Sequence, residues 1–100
     1  MVLIYITCKD KKEAKKISKY LLEKKLIACS NMFPIESMYW WKGKIEEANE
    51  VVILAKTLEK NYEKIKEEVK KIHSYEVPAI LMIKAEADFE YEKWVIDSVV

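Results

Sequence analysis

The amino-acid sequence predicts an α+β fold whose elements run β-α-β-β-α-β-α. Three observations carry the prediction. Residues 2–8, 51–55 and 79–83 are apolar, largely β-branched runs of strand length. Two other stretches repeat apolar residues at three- and four-residue spacing against a lysine- and glutamate-rich face, as amphipathic helices do. Between them lies Tyr39-Trp40-Trp41-Lys42-Gly43-Lys44-Ile45, with the only glycine of the chain flanked by two long strand-like runs. That is a hairpin signal, because glycine tolerates the positive φ of a tight turn. The order matches the ferredoxin-like βαββαβ sandwich with a long hairpin between the second and third strands and an extra C-terminal helix.

Each element has its own warrant. Residues 2–8 have no polar face, so both sides of the first strand are expected to be buried. Asp10 with Glu13 three residues on is an Asp-containing variant of the capping box, and it opens a helix over residues 11 to about 25, with Ala14, Ile17, Leu21 and Leu22 inward. The second strand begins near Ile27 and carries Pro34, which cannot donate to a ladder, so that strand is bulged there or lies at a sheet edge. After the turn, residues 45–57 form the third strand. A second helix spans residues 59 to about 72 on the stripe Leu58, Tyr62, Ile65, Val69 and Ile72. His73-Ser74-Tyr75-Glu76-Val77-Pro78 leads to the fourth strand at 79–83. Asp88 caps a last helix in which Phe89, Trp94 and Val95 are the expected buried residues.

One hundred residues make one domain, and an apolar share of 51% excludes a disordered chain. No run approaches the roughly 20 apolar residues of a membrane span, and the first residues lack a basic signal-peptide region. A cytoplasmic location with Cys8 and Cys29 as reduced thiols is expected. The 18 basic residues, all lysine, balance 17 acidic ones, and the lysines alternate with glutamates on helix faces. Without arginine, the usual reader of phosphate and guanine, nucleic acid is not an expected partner. High lysine and glutamate with a single glycine resembles a hyperthermophile's composition. Because several strands are apolar on both faces, the sheet needs a second cover, and another copy of the chain is the simplest one.

Several stretches together resemble one family. Leu26-Ile27-Ala28-Cys29-Ser30-Asn31 resembles the Leu-x-Ala-Cys-x-Asn start of strand two in the CutA family, and Tyr39-Trp40-Trp41-Lys42-Gly43-Lys44 its Tyr-x-Trp-x-Gly-Lys hairpin. Glu50 with Lys56-Thr57, and His73-x-Tyr75-x-Val77-Pro78, resemble two later blocks; Ser74 departs from the proline usual at that position. The resemblance spans nearly the whole chain. It implies a ferredoxin-like homotrimer whose long hairpins reach neighbouring subunits, a role in divalent cation tolerance, and copper binding in some members. It also implies an architecture similar to the PII signalling proteins, which hold small ligands in clefts between subunits.

The candidate chemistry is sparse. Cys29, Cys8 and His73 are the soft and imidazole ligands, suited to copper or another divalent metal. In the ferredoxin-like arrangement the end of strand one meets the start of strand four, so Cys8 approaches His73, while Cys29 lies at the opposite end. Packing as a small buried residue is the favoured reading of Cys29, and a helix C-terminal cap accounts equally well for His73. Tyr39, Trp40 and Trp41, with Glu50, Lys56, Tyr75 and Glu76, are candidates for an intersubunit interface or cleft; packing is the favoured reading of Trp40 and Trp41, and a solvated or ion-paired sheet surface that of Glu50, Lys56, Tyr75 and Glu76. There is no serine–histidine–acid arrangement, phosphate loop or Gly-rich turn, so no catalytic residue and no organic cofactor are expected. The expected function is divalent metal binding, copper first, in metal homeostasis, with a PII-like sensor or scaffold as the alternative.

Overall fold

The computed structural model describes residues 1–100. The elements are β1 (Val2–Cys8), α1 (Lys11–Glu23), β2 (Cys29–Trp41), β3 (Lys44–Thr57), a 3-10 turn (Glu59–Asn61), α2 (Tyr62–Ile72), β4 (Ile80–Lys84) and α3 (Phe89–Ser98). The strands form one antiparallel sheet in the order β2-β3-β1-β4. This is the ferredoxin-like arrangement.

One face of the sheet meets α1 and α2. Val2, Ile4, Ile6 and Cys8 of β1, with Ile53 and Ala55 of β3, pack there against Ala14, Ile17 and Leu21 of α1 and Ile65 and Val69 of α2. Alternation along β1 is strict: the intervening Leu3, Tyr5 and Thr7 are only half-buried on the opposite face. Both sides of β1 were expected to be buried; within one subunit only the helix-facing side is. α1 is capped by Asp10, whose Oδ1 accepts the Glu13 N–H at 2.8 Å, while Glu13 Oε1 reaches back to the Lys9 N–H at 3.0 Å. The box is thus closed one residue earlier than usual. At the far end of the helix pair, Glu68 of α2 is paired with Lys71 at 2.7 Å and with Lys24, beyond α1, at 3.2 Å.

Strands β2 and β3 form a thirteen-rung ladder from Cys29↔Lys56 to Trp41↔Lys44. Lys42 (φ 50°) and Gly43 (φ 79°) join them, both left-handed, as a two-residue type I′ turn requires. Pro34 faces Val51 in unbroken register, so there is no bulge; β2 is the sheet edge, where a proline costs no interior ladder bond. The hairpin projects beyond the helices, and the molecule measures 45 × 25 × 21 Å.

The second face is covered in part by α3, whose Val95 is fully buried and whose Tyr91 hydroxyl lies 3.6 Å from the Cys29 sulfur. Asp88 caps this helix through the Glu90 N–H. The expectation that Phe89 and Trp94 are buried needs correction: they are 78% and 46% exposed. Val95 is the one buried residue of α3. Leu81 and Ile83 of β4 and Phe33 of β2 are exposed as well. No helix is long and apolar enough to cross a membrane.

Candidate functional site

Two places gather the residues singled out from the sequence. The first is where β1 ends. Antiparallel pairing of β1 with β4 brings the carboxyl end of β1 under the segment leaving α2, and Cys8, Glu13 and His73 each offer a ligand atom within 4.8 Å of the others. The approach of Cys8 to His73 follows from strand order. Glu13 was assigned only to capping, and the Asp10/Glu13 spacing was the one signal for it.

The hydrogen bonds of this cluster decide what it can do. The Tyr75 N–H donates to His73 Nδ1 at 3.0 Å, which puts the ring proton on Nε2, and Nε2 donates to the Thr7 carbonyl at 2.8 Å. Glu13 Oε1 accepts from Lys9 and Oε2 from the Ser74 N–H at 2.8 Å. Burial penalises the Glu13 charge, but the hydrogen bonds from Lys9 and Ser74 outweigh it and hold the carboxyl below its ordinary value. Cys8 is fully buried; burial, then the charges of Glu13, Asp10 and Glu50, push its thiol up to about 12. A metal needs a thiolate and free lone pairs. Here the thiol is held protonated, the imidazole lone pair accepts from the Tyr75 N–H and each carboxylate oxygen accepts one N–H. A metal at this cluster would have to displace the Cys8 proton and the Tyr75 hydrogen bond. The cluster ties β1, α1 and the α2–β4 segment together.

Cys29 lies elsewhere. It opens β2 opposite Lys56, at the other end of the sheet, half-buried, with Tyr91 as its side-chain partner. That hydrogen bond raises the Tyr91 hydroxyl above its usual range. Cys29 therefore shares no site with Cys8 and His73 within one subunit.

The second place is a groove of about 840 Å³ between the hairpin and the α2–β4 segment. Tyr39, Trp40, Trp41, Glu50, Tyr75 and Glu76 all line it. Lys56 does not; its ammonium bonds Asn31 across the ladder near Cys29. Glu50, on β3, is only 6% exposed, and Tyr75 donates to its Oε2 at 2.5 Å. Burial and the Glu50 carboxylate both raise the Tyr75 hydroxyl well above the ordinary phenol range, so it stays a donor. Tyr75 is aimed by the same His73 that closes the first cluster: the rings lie 4.9 Å apart and the Tyr75 N–H is held by Nδ1. The hairpin is long because its alternating apolar residues keep pairing well past the helices, and this carries Trp40 and Trp41 out to the groove's wall. Trp40 is 72% exposed and Trp41 39%.

Comparison with known proteins identifies the family and agrees with the fold. The family model described as CutA1 divalent ion tolerance protein matches residues 2–98. The divalent-cation tolerance protein CutA of Archaeoglobus fulgidus is 45% identical over 97 residues, covering 96% of this chain and 95% of that protein. Its structure, described as that of a periplasmic protein, superposes with a TM-score of 0.96 at 44% identity over all of both chains. A variant of CutA1 from Pyrococcus horikoshii gives 0.97 at 42% identity, over 100% of this chain and 99% of that one. The PII-like protein CutA from Nostoc, in apo form, gives 0.92 at 25% identity, over 100% and 98%.

Proposed function

The chain belongs to the CutA1 family of divalent ion tolerance proteins, and from that premise we propose that it serves cation tolerance as a cytoplasmic homotrimer, one CutA-like domain per subunit, acting by binding rather than catalysis. Its working site is the groove beside the hairpin, completed by a neighbouring subunit in the PII manner. One observation carries this reading. Six of the seven residues flagged from the sequence as interface or cleft line a single groove, and a buried carboxylate bonded to a tyrosine forms part of it. The similarity to a PII-like protein supports the same assignment.

A second reading is favoured by the thiol, imidazole and carboxylate donors within 4.8 Å of one another. Here the protein binds copper or another divalent metal through Cys8, Glu13 and His73, or through Cys29 in a trimer. The first of these requires the hydrogen bonds at Glu13 and His73 to open. A tolerance assay separates the readings. In cells lacking their own copy and challenged with copper, Trp41→Ala and Tyr75→Phe abolish protection while Cys8→Ala retains it, if the groove is the working site. Loss in Cys8→Ala with protection kept in Trp41→Ala contradicts the groove reading.

A further inference from the structure

We infer that the outward face of α1 is a docking surface for inorganic polyphosphate, a flexible chain of phosphate groups. Lys9, Lys11, Lys12, Lys15, Lys16 and Lys19 are all exposed, and none of the chain's ion pairs includes them. Residues 9–19 carry these six lysines against Asp10 and Glu13, whereas the rest of the chain holds twelve lysines against fifteen acids. Both of those acids are engaged by backbone N–H groups at the start of the helix. A chain that is nearly neutral as a whole therefore has one strongly basic face. That face lies opposite Ala14, Ile17 and Leu21, which pack on the sheet, so it points away from the half-covered second face.

The arrangement works against the helix itself. Lys11 and Lys15, Lys12 and Lys16, and Lys15 and Lys19 are like charges one turn apart, which destabilise a helix. Lys11 and Lys12 also sit in the first turn, at the positive end of the dipole, and the last turn holds no basic residue. Helix α2 has the opposite design. Glu63 opens it, Lys70 and Lys71 close it, and Lys64, Lys66 and Lys71 pair with Glu67, Glu63 and Glu68 one turn away. A local rule broken on one helix and kept on its neighbour marks a face held for a partner, and the charge missing from this face is negative.

Three polyanions compete for it. α2 lies beside α1, with Tyr20 and Lys24 bonded to Glu68, so α1 cannot enter the groove of a nucleic-acid duplex alone. The apolar side of α1 is buried in the core, which leaves none to insert into a bilayer. The lysines spread over a broad convex arc; a flexible chain follows it, where a stiff duplex or a flat membrane touches only the crest. Lysine without arginine supplies point charges that require no fixed phosphate geometry. Phosphate oxygens are also hard ligands for divalent cations, which suits a protein of the cation-tolerance family.

The test is a calorimetric titration of polyphosphate into the full chain at low ionic strength, with duplex DNA and phosphatidylserine vesicles as comparisons. Saturable polyphosphate binding is expected, weakened on the order of tenfold in Lys15→Glu. It should be unchanged in Lys60→Glu, the same charge change at an exposed lysine by the opposite end of the sheet. Without polyphosphate, Lys15→Glu should melt above the wild type, because two repulsions with Lys11 and Lys19 become attractions. Loss of binding is then not loss of fold, and a lower melting temperature overturns the premise that this face is charged at the helix's expense. Equal weakening in Lys60→Glu would be attraction to net charge and overturns the site. Tighter binding of DNA or vesicles than of polyphosphate overturns the partner class and keeps the face. No binding of any of the three overturns face and partner together.

Discussion

At the scale of single residues, Cys8 and His73 come close enough to invite a ligand reading, yet Cys8 is a buried thiol and His73 is bonded to Thr7 and Tyr75. With its thiol held protonated to about 12 and no exposed surface, Cys8 is inert. A disulfide reagent titrated against the native protein should therefore count one reactive thiol, Cys29, and a second only after denaturation. Two fast-reacting thiols in the native protein would mean that the cluster opens. His73→Ala removes the bonds to Thr7 and Tyr75 and leaves a part-buried N–H and carbonyl without their partners. Destabilisation of about 1–3 kcal/mol is expected in denaturant unfolding. Glu68 supplies a pH prediction. The hydrogen bond from Lys71, then that from Lys24, overcome burial and bring its carboxyl down to about 2. A carboxylate lowered on folding stabilises above the unfolded value of about 4.3, and that contribution is lost as pH falls toward 2. Glu68→Gln should accordingly melt below the wild type at pH 7, with the gap closing between pH 4 and pH 2; a constant gap would contradict the ion-pair account. The Cys8–His73 approach was legible in the sequence because strand order alone dictates it. That His73 and Glu13 are already hydrogen-bonded was not, since backbone N–H groups leave no compositional trace.

Among the elements, the hairpin was the most legible, because one glycine, two apolar arms and an edge proline all specify the same geometry. Its turn holds a non-glycine residue, Lys42, at φ 50° beside Gly43 at φ 79°. Gly43→Ala meets no neighbouring atom within 4 Å, so its cost is conformational alone, about 1 kcal/mol. Lys42→Gly relieves the other strained position and should be neutral or stabilising by a few tenths of a kcal/mol, as thermal unfolding would measure. The helix α3 was the least legible. Its apolar residues do not form one stripe, and periodicity could not tell which of Phe89, Trp94 and Val95 faces the sheet. Only Val95 does.

For the whole molecule, one subunit is larger than its mass warrants. Its accessible surface is 6605 Å² and its radius of gyration 13.9 Å, against about 5,900 Å² and about 12.7 Å for a compact chain of this size. The excess belongs to the projecting hairpin and the half-covered second face, where Phe33, Leu81, Ile83 and Trp94 stay exposed. The trimer we propose buries these surfaces. Replacing Trp40 and Trp41 together by alanine should shift the light-scattering mass from three subunits toward the 11.8 kDa monomer under mild denaturant. An unchanged mass would remove the hairpin from the interface. The central claim is that the groove, and not the thiol–imidazole cluster, is where the protein acts. Its most direct test is calorimetric titration of copper into the wild type, Cys8→Ser, Cys29→Ser and His73→Ala. The account predicts that Cys8→Ser and His73→Ala leave whatever copper binding the wild type has unchanged. Tight, stoichiometric binding that disappears in either variant would contradict it.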